Sequence, residues 1–152
     1  LASFRPLAHR LQTVALLDGV EYVDDSKATN PHAALAALRD RRDVVLVAGG
    51  RSKGNDLSAL RAGVPPVIAV VALGEAAQEV KAVFEDLVPV DVVPDMAAAV
   101  AAARRRAVPG GSVLLAPGCA SLDMYTSYAA RGDDFARCVR EMTEGAGHDG
   151  DA

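Results

Sequence analysis

Two uninterrupted apolar runs constrain the fold more than anything else in the chain. Asp43-Val44-Val45-Leu46-Val47-Ala48 and Val67-Ile68-Ala69-Val70-Val71-Ala72-Leu73 are of strand length, rich in β-branched residues, and broken by no polar side chain after Asp43. A strand with one solvated face alternates apolar and polar residues. A strand that is apolar throughout is covered on both faces, as in a parallel sheet sandwiched between helices. The rest of the pattern agrees. Shorter strand-like runs fall at 13–17, 20–23, 90–93 and 112–116, and helical spacing falls at 31–39, 57–62, 76–84, 96–106 and 133–142. The alternation β-β-α-β-α-β-α-β-α-β-α predicts an α/β fold: a mostly parallel sheet of about six strands, one of them antiparallel, with helices on both faces. Asp18-Gly19, between the first two runs, is the strongest short hairpin signal and sets the antiparallel strand. The 90–93 run is the shortest and belongs nearer an edge.

The composition suits this fold. Hydrophobic residues make up 51% of the 152 and aromatics only 4%, with no Trp, so Ala, Val and Leu must build the core. No internal repeat or second core is visible, and one domain over 1–143 is expected, followed by a small, polar, disordered tail over 144–152. Net charge is −4 without a basic block, so neither nucleic acid nor a membrane is proposed as partner. The longest apolar run, 64–73, holds two prolines and is too short to span a bilayer. Two cysteines without a CxxC, and no signal peptide, point to the cytoplasm. The chain opens Leu1-Ala2-Ser3 rather than with Met, which reads as a piece of a longer protein.

Three of the predicted strands end in polar or glycine-rich loops, at 24–30, 49–56 and 116–123. Open α/β sheets bind ligands beyond the carboxyl ends of their strands. In the first loop, Asn30 and Pro31 serve as helix cap and first helical residue. Capping does not account for Asp25, Lys27 and Thr29. The second loop, Gly49-Gly50-Arg51-Ser52-Lys53-Gly54, lacks both the Walker spacing and the hydroxyl after the lysine, and is not GxGxxG. It is a glycine turn presenting Arg51, Ser52 and Lys53, either as plain surface charge or as partners for a carboxylate or phosphate. In the third loop Pro117-Gly118 stop the strand, and Ser121 offers a hydroxyl beside backbone donors. Cys119 has no histidine partner in sequence and reads as a small buried thiol. His9 and His32 lack neighbours at metal-ligand spacing. Asp24 and Asp25, adjacent on a strand, point to opposite faces and do not form an acid/base pair. The sum is a crevice for an anionic ligand with more than one acidic group.

The ordered set Asp25-Ser26-Lys27-Ala28-Thr29-Asn30, Gly49-Gly50 with Lys53-Gly54 and Asp56, and 115–123 with Arg131-Gly132-Asp133-Asp134-Phe135 resembles the carboxy-terminal domain of the Mur ligases. The likeness covers about 1–143 and favours the branch that adds D-glutamate; the Asp-Asn-Pro-Arg signature of the branch adding diaminopimelate or lysine is missing. The resemblance implies a Rossmann-like fold and a share in a two-step reaction. ATP phosphorylates the carboxylate of UDP-N-acetylmuramoyl-L-alanine, and the D-glutamate amine then attacks the acyl phosphate, in peptidoglycan precursor synthesis. It further implies that Thr29, Lys53, Ser121 and Tyr128 hold the D-glutamate carboxylates, Tyr128 through its backbone N–H. Lys27 would lie near the transferred phosphate, and His9 with Arg10 at the interface with the central domain and nucleotide, His9 and Lys27 counting as catalytic. Asp25 and Arg10 would face the nucleotide. ATP and Mg²⁺ would be bound mainly by a central domain outside this chain, which alone would not ligate. The protein would be a monomer. Departures are Arg51 where an acid can stand, Ala8 for Pro, and Gln12 for Glu. Two other readings fit the same crevice: a folylpolyglutamate-synthase-like ligase domain, and a non-catalytic module binding a small anion.

Overall fold

The computed structural model describes residues 8–150, with side chains from 8 to 142. Six strands form one sheet: β1 (Gln12–Leu17), β2 (Val20–Asp24), β3 (Val44–Gly49), β4 (Val67–Leu73), β5 (Val90–Val92) and β6 (Ser112–Leu115). Their spatial order is β1-β2-β6-β3-β4-β5. Only the β1–β2 pair is antiparallel, and its turn residues Asp18 and Gly19 take φ of 53° and 78°. β5 lies at an edge, as its length predicts.

The apolar runs behave as expected of doubly covered strands. Val44, Leu46 and Ala48 of β3 join one core, with α1 (Pro31–Ala37), the 3₁₀ helix Leu57–Gly63 and α2 (Ala77–Phe84). Val45 and Val47 join the opposite core, with α3 (Met96–Arg106) and α4 (Tyr128–Gly150). β6 splits in the same way, Leu114 to the first face and Val113 with Leu115 to the second. Each fully buried Val or Leu contributes about 1.5–3 kcal/mol relative to exposure, so alternation on both faces holds the sheet from both sides.

The caps follow the sequence. Asn30 accepts a hydrogen bond from the Ala33 N–H (2.9 Å) with Pro31 in the first turn, and Asp95 caps α3 through the Ala98 N–H (2.8 Å). Two elements differ from expectation. The 57–63 turn is 3₁₀ rather than α. α4 begins at Tyr128, five residues before the predicted start at 133; its first turn is capped by Ser127, whose hydroxyl accepts from the Ala130 N–H. The α4 backbone runs to Gly150. Residues 1–7, among them the apolar anchors Leu1, Phe4 and Leu7, residues 151 and 152, and the side chains beyond Met142 lie outside the described residues; over 144–150 the backbone is helical where a disordered tail was expected. No helix among the described residues is long and apolar enough to cross a membrane.

Candidate functional site

The strand order puts β2, β6 and β3 side by side, so the three loops predicted to carry chemistry leave neighbouring strands. Backbone hydrogen bonds then stitch the loops together. The N–H of Asp25 donates to the Leu115 carbonyl (2.8 Å), Gly118 to Ala28 (2.9 Å) and Gly49 to Pro117 (3.0 Å). Arg51 and Ala120 exchange hydrogen bonds in both directions (2.8 and 2.9 Å), extending the sheet by one antiparallel bridge. Two glycines permit this closeness. Gly49 (φ 127°) lies where a Cβ would be 2.0 Å from the Leu73 carbonyl oxygen, and a Cβ on Gly50 (φ 128°) would be 2.3 Å from that of Ala120.

The first loop is organised from within. Asp24, buried, accepts from the Ser26 N–H (2.9 Å) and pairs with His9 Nδ1 (2.6 Å). His9 Nε2 lies 3.4 Å from Asp133. Both imidazole nitrogens therefore face carboxylates, one on β2 and one on α4. The Gly132 backbone leaves room for this: a Cβ there would be 2.3 Å from His9 Nδ1. Ser26 donates to the Tyr128 carbonyl (2.6 Å), and its N–H is held by Asp24, so the residue faces inward. Asp25 and Lys27, on either side of it, line a cleft of about 290 Å³ with Arg10, Leu11 and α1 alanines. Asp24 and Asp25 thus serve separate environments, as their adjacency predicts.

Asp25 accepts from the Leu11 N–H (3.0 Å). Burial raises its pKa above the usual carboxylate value; the Leu11 N–H opposes this and the Asp24 charge adds to it. A carboxyl that binds protons more readily folded than unfolded stabilises the fold at low pH, and that contribution is lost as pH rises through its folded pKa. Asp25→Asn keeps an oxygen for Leu11 and removes the buried charge. It is expected to raise Tm at neutral pH, with the gain shrinking on acidification; a lower Tm at pH 7 in a thermal melt series would contradict this.

The remaining predicted site residues lie on the loops leaving β2, β3 and β6 and at the start of α4, which together form the rim at this end of the sheet. Tyr128 opens α4, where a first-turn N–H has no partner within the helix. Its ring stands 5.9 Å from Lys27 Nζ and edge-on to His9, with centroids 6.3 Å apart. Lys53 is exposed at the tip of the second loop, with φ 54°. Thr29 is half-buried and Ser121 buried. The side chains of Thr29, Lys53 and Ser121 make no hydrogen bond or ion pair among the described residues.

Arg51 turns elsewhere. Its Nε pairs with Glu75 (3.2 Å), beside a separate depression of about 570 Å³ near the ends of β4 and β5. Arg51, read from sequence as surface charge or as a partner for an anion, pairs here with Glu75, an exposed acid 24 residues on. Cys119 is fully buried, and burial pushes its thiol up to about 11, which suits a packed thiol and not a nucleophile. Residues that sequence reasoning did not assign are Asp24, Ser26 and Arg131, which hold the first loop. The sequence carried no signal for them: Gly132, which makes room for His9 and Asp24, lies just before the helix expected from 133.

Comparison with known proteins adds the following. The family model described as Mur ligase, glutamate ligase domain, matches residues 9–119. The chain is 49% identical over 144 residues to the UDP-N-acetylmuramoylalanine--D-glutamate ligase of Frankia casuarinae, covering 92% of this chain and 31% of that protein. It is 46% identical over 151 residues to the enzyme of the same name from Thermobifida fusca, covering 93% and 32%. The chain thus spans about a third of the length of these relatives. Among solved structures it resembles a bifunctional folylpolyglutamate synthase/dihydrofolate synthase from Yersinia pestis, with TM-score 0.61 and 20% identity over 87% of this chain and 31% of that one.

Proposed function

The chain belongs to the Mur ligase glutamate ligase domain family, and from that premise we propose that it is the amino-acid-binding domain of a ligase joining D-glutamate to UDP-N-acetylmuramoyl-L-alanine at the expense of ATP. The observation that carries the reading is the rim itself: uncommitted Thr29, Lys53 and Ser121, with Lys27 beside the Tyr128 ring, on adjacent strand ends. These are donors without acceptors, as a dicarboxylate requires. In this reading Thr29, Lys53, Ser121 and the Tyr128 N–H hold the two D-glutamate carboxylates. The uncharged amine is thereby aimed at the acyl carbon. Attack forms the amide C–N bond, inorganic phosphate leaves, and the amine loses a proton. Lys27 offsets charge on the phosphoryl group and on the departing phosphate.

Asp25 and Arg10, on the 290 Å³ cleft, suit a nucleotide, the carboxylate accepting from a sugar hydroxyl and the guanidinium meeting phosphate. His9, with both nitrogens engaged, serves by holding β2 to α4 beneath Lys27 rather than by moving a proton. No group of three or more His, Cys, Asp or Glu side chains that could hold a metal ion occurs among the described residues. In this reading a divalent cation accompanying ATP is held mainly by the phosphates and by a central domain outside this chain. The setting is the cytoplasm, where nucleotide-linked precursors are made.

A folylpolyglutamate-synthase-like domain shares the fold. The identity of 46–49% to D-glutamate ligases favours the first reading. The test is ligation by the full-length protein supplied with ATP, Mg²⁺ and UDP-N-acetylmuramoyl-L-alanine, with D- or L-glutamate as acceptor. Product with D-glutamate only is expected, and none from the present chain alone, which should bind D-glutamate weakly because a half-site is not preorganised. Preference for L-glutamate or a folate acceptor would overturn the reading.

A further inference from the structure

Arg131 is the only basic side chain among the buried polar residues that the structure describes, 3% exposed. No carboxylate lies within ion-pair distance of it among the described residues, although the Asp123 and Asp24 charges favour its cation from further away. Its Nε donates to Ser26 Oγ and its Nη2 to the Ser26 carbonyl, both at 2.9 Å, while Nη1 is buried without a partner. Burying a guanidinium against neutral acceptors is costly, and an apolar side chain of similar volume would stabilise a core at least as well. Fold stability alone is a poor account of such a residue.

The geometry supplies another. Three groups hold Ser26: Asp24 takes the N–H, Arg131 donates to both oxygens, and the Tyr128 carbonyl takes the hydroxyl proton. Ser26 separates Asp25 from Lys27, so fixing it inward fixes the outward aim of both neighbours into the cleft. The same guanidinium backs the second and third loops, since a Cβ on Gly50 would come within 3.1 Å of Nη1 and 3.3 Å of the Cys119 Cβ. We propose that Arg131 is a positioning residue: through Ser26 it locks the 24–30 loop against Gly50 and Cys119, and so sets where Lys27 and Asp25 meet their ligands. What those ligands are rests on the reading above; the lock itself does not.

Two variants test it: Arg131→Lys, which keeps the charge and the Ser26–Tyr128 bond but loses the planar fork, and Ser26→Ala, which keeps Arg131 and removes both its hydroxyl acceptor and the bond to the Tyr128 carbonyl. In the present chain, hydrogen exchange should quicken roughly 10–100-fold at the amides of Lys27, Ala28 and Gly118, whose hydrogen bonds close the loop. The amides of Val45 to Val47 in β3 should be unaffected. In the full-length ligase, kcat/KM should fall roughly 10–100-fold, since a misplacement of about 1 Å has that scale of effect. The loss should appear as raised KM for ATP and D-glutamate. A residue that only stabilises would speed loop and strand amides equally and lower the active fraction at unchanged KM; that result, or no change in exchange, overturns the proposal. If Arg131→Lys does not fold, Ser26→Ala decides. If the wild-type full-length protein makes no product, the functional reading has failed, and the exchange measurement still decides the lock.

Discussion

Lys27→Ala in the full-length protein is expected to lower kcat/KM for ligation by roughly 10²–10³-fold, the scale seen when a group stabilising transition-state charge is removed. Stability should hardly change. Lys27 is exposed, makes no ion pair among the described residues, and holds its Nζ 5.9 Å from the centre of the Tyr128 ring. An exposed cation–π contact contributes about 0.5–1 kcal/mol. The contrast between a large kinetic loss and a small thermal one is the signature of a residue kept for its charge. Lys27→Arg, which retains the cation on a different fork, should recover part of the rate. Near-normal ligation by Lys27→Ala would remove the residue from the reaction.

The second large effect is structural. Gly49→Ala is expected to destabilise the fold by about 3–5 kcal/mol, the range of severe backbone and packing defects. The added Cβ would lie 2.0 Å from the Leu73 carbonyl oxygen, at a φ of 127° that only glycine adopts freely. Gly49 pairs with Leu73 in the centre of the sheet, where neither strand can retreat. For a chain of this size the loss corresponds to a Tm drop on the order of 10 °C. Gly54→Ala is the internal control. Its φ is 77°, but a Cβ there meets nothing within 4 Å, so only the backbone cost of about 1–2 kcal/mol applies. Equal melting temperatures for the two variants would show that close approach between β3 and β4 is not what places glycine at 49.

These two residues also mark what can be read from the chain before its structure. Periodicity is local, so doubly buried β3 and β4, the Asp18-Gly19 hairpin and the Asn30 cap were all legible. The ligand end of the sheet followed from topology, because polar loops after buried strands have one place to go. Partners distant in sequence were not legible. Arg51 looked like a free cation until the fold brought Glu75 to it, and nothing near His9 announces Asp24 or Asp133 as its neighbours. The start of α4 escaped because Ser127, Tyr128 and Gly132 are poor helix formers, held there by the Ser127 cap and by Ser26 bonding to the Tyr128 carbonyl. Arg131 escaped for a related reason. An arginine in sequence is presumed solvated, and only the packed loops reveal that this one is not.

The most direct measurement is steady-state kinetics of full-length Lys53→Ala with each substrate varied in turn. Lys53 is exposed and makes no ion pair among the described residues, so the substitution leaves the fold intact. If this domain presents D-glutamate, KM for D-glutamate rises roughly 10–100-fold, the value of a lost charge-assisted contact to a carboxylate. KM for ATP and for UDP-N-acetylmuramoyl-L-alanine stays within about twofold, since those substrates meet other residues. An unchanged KM for D-glutamate, or an equal rise for all three substrates, would contradict the assignment of this rim to the amino acid.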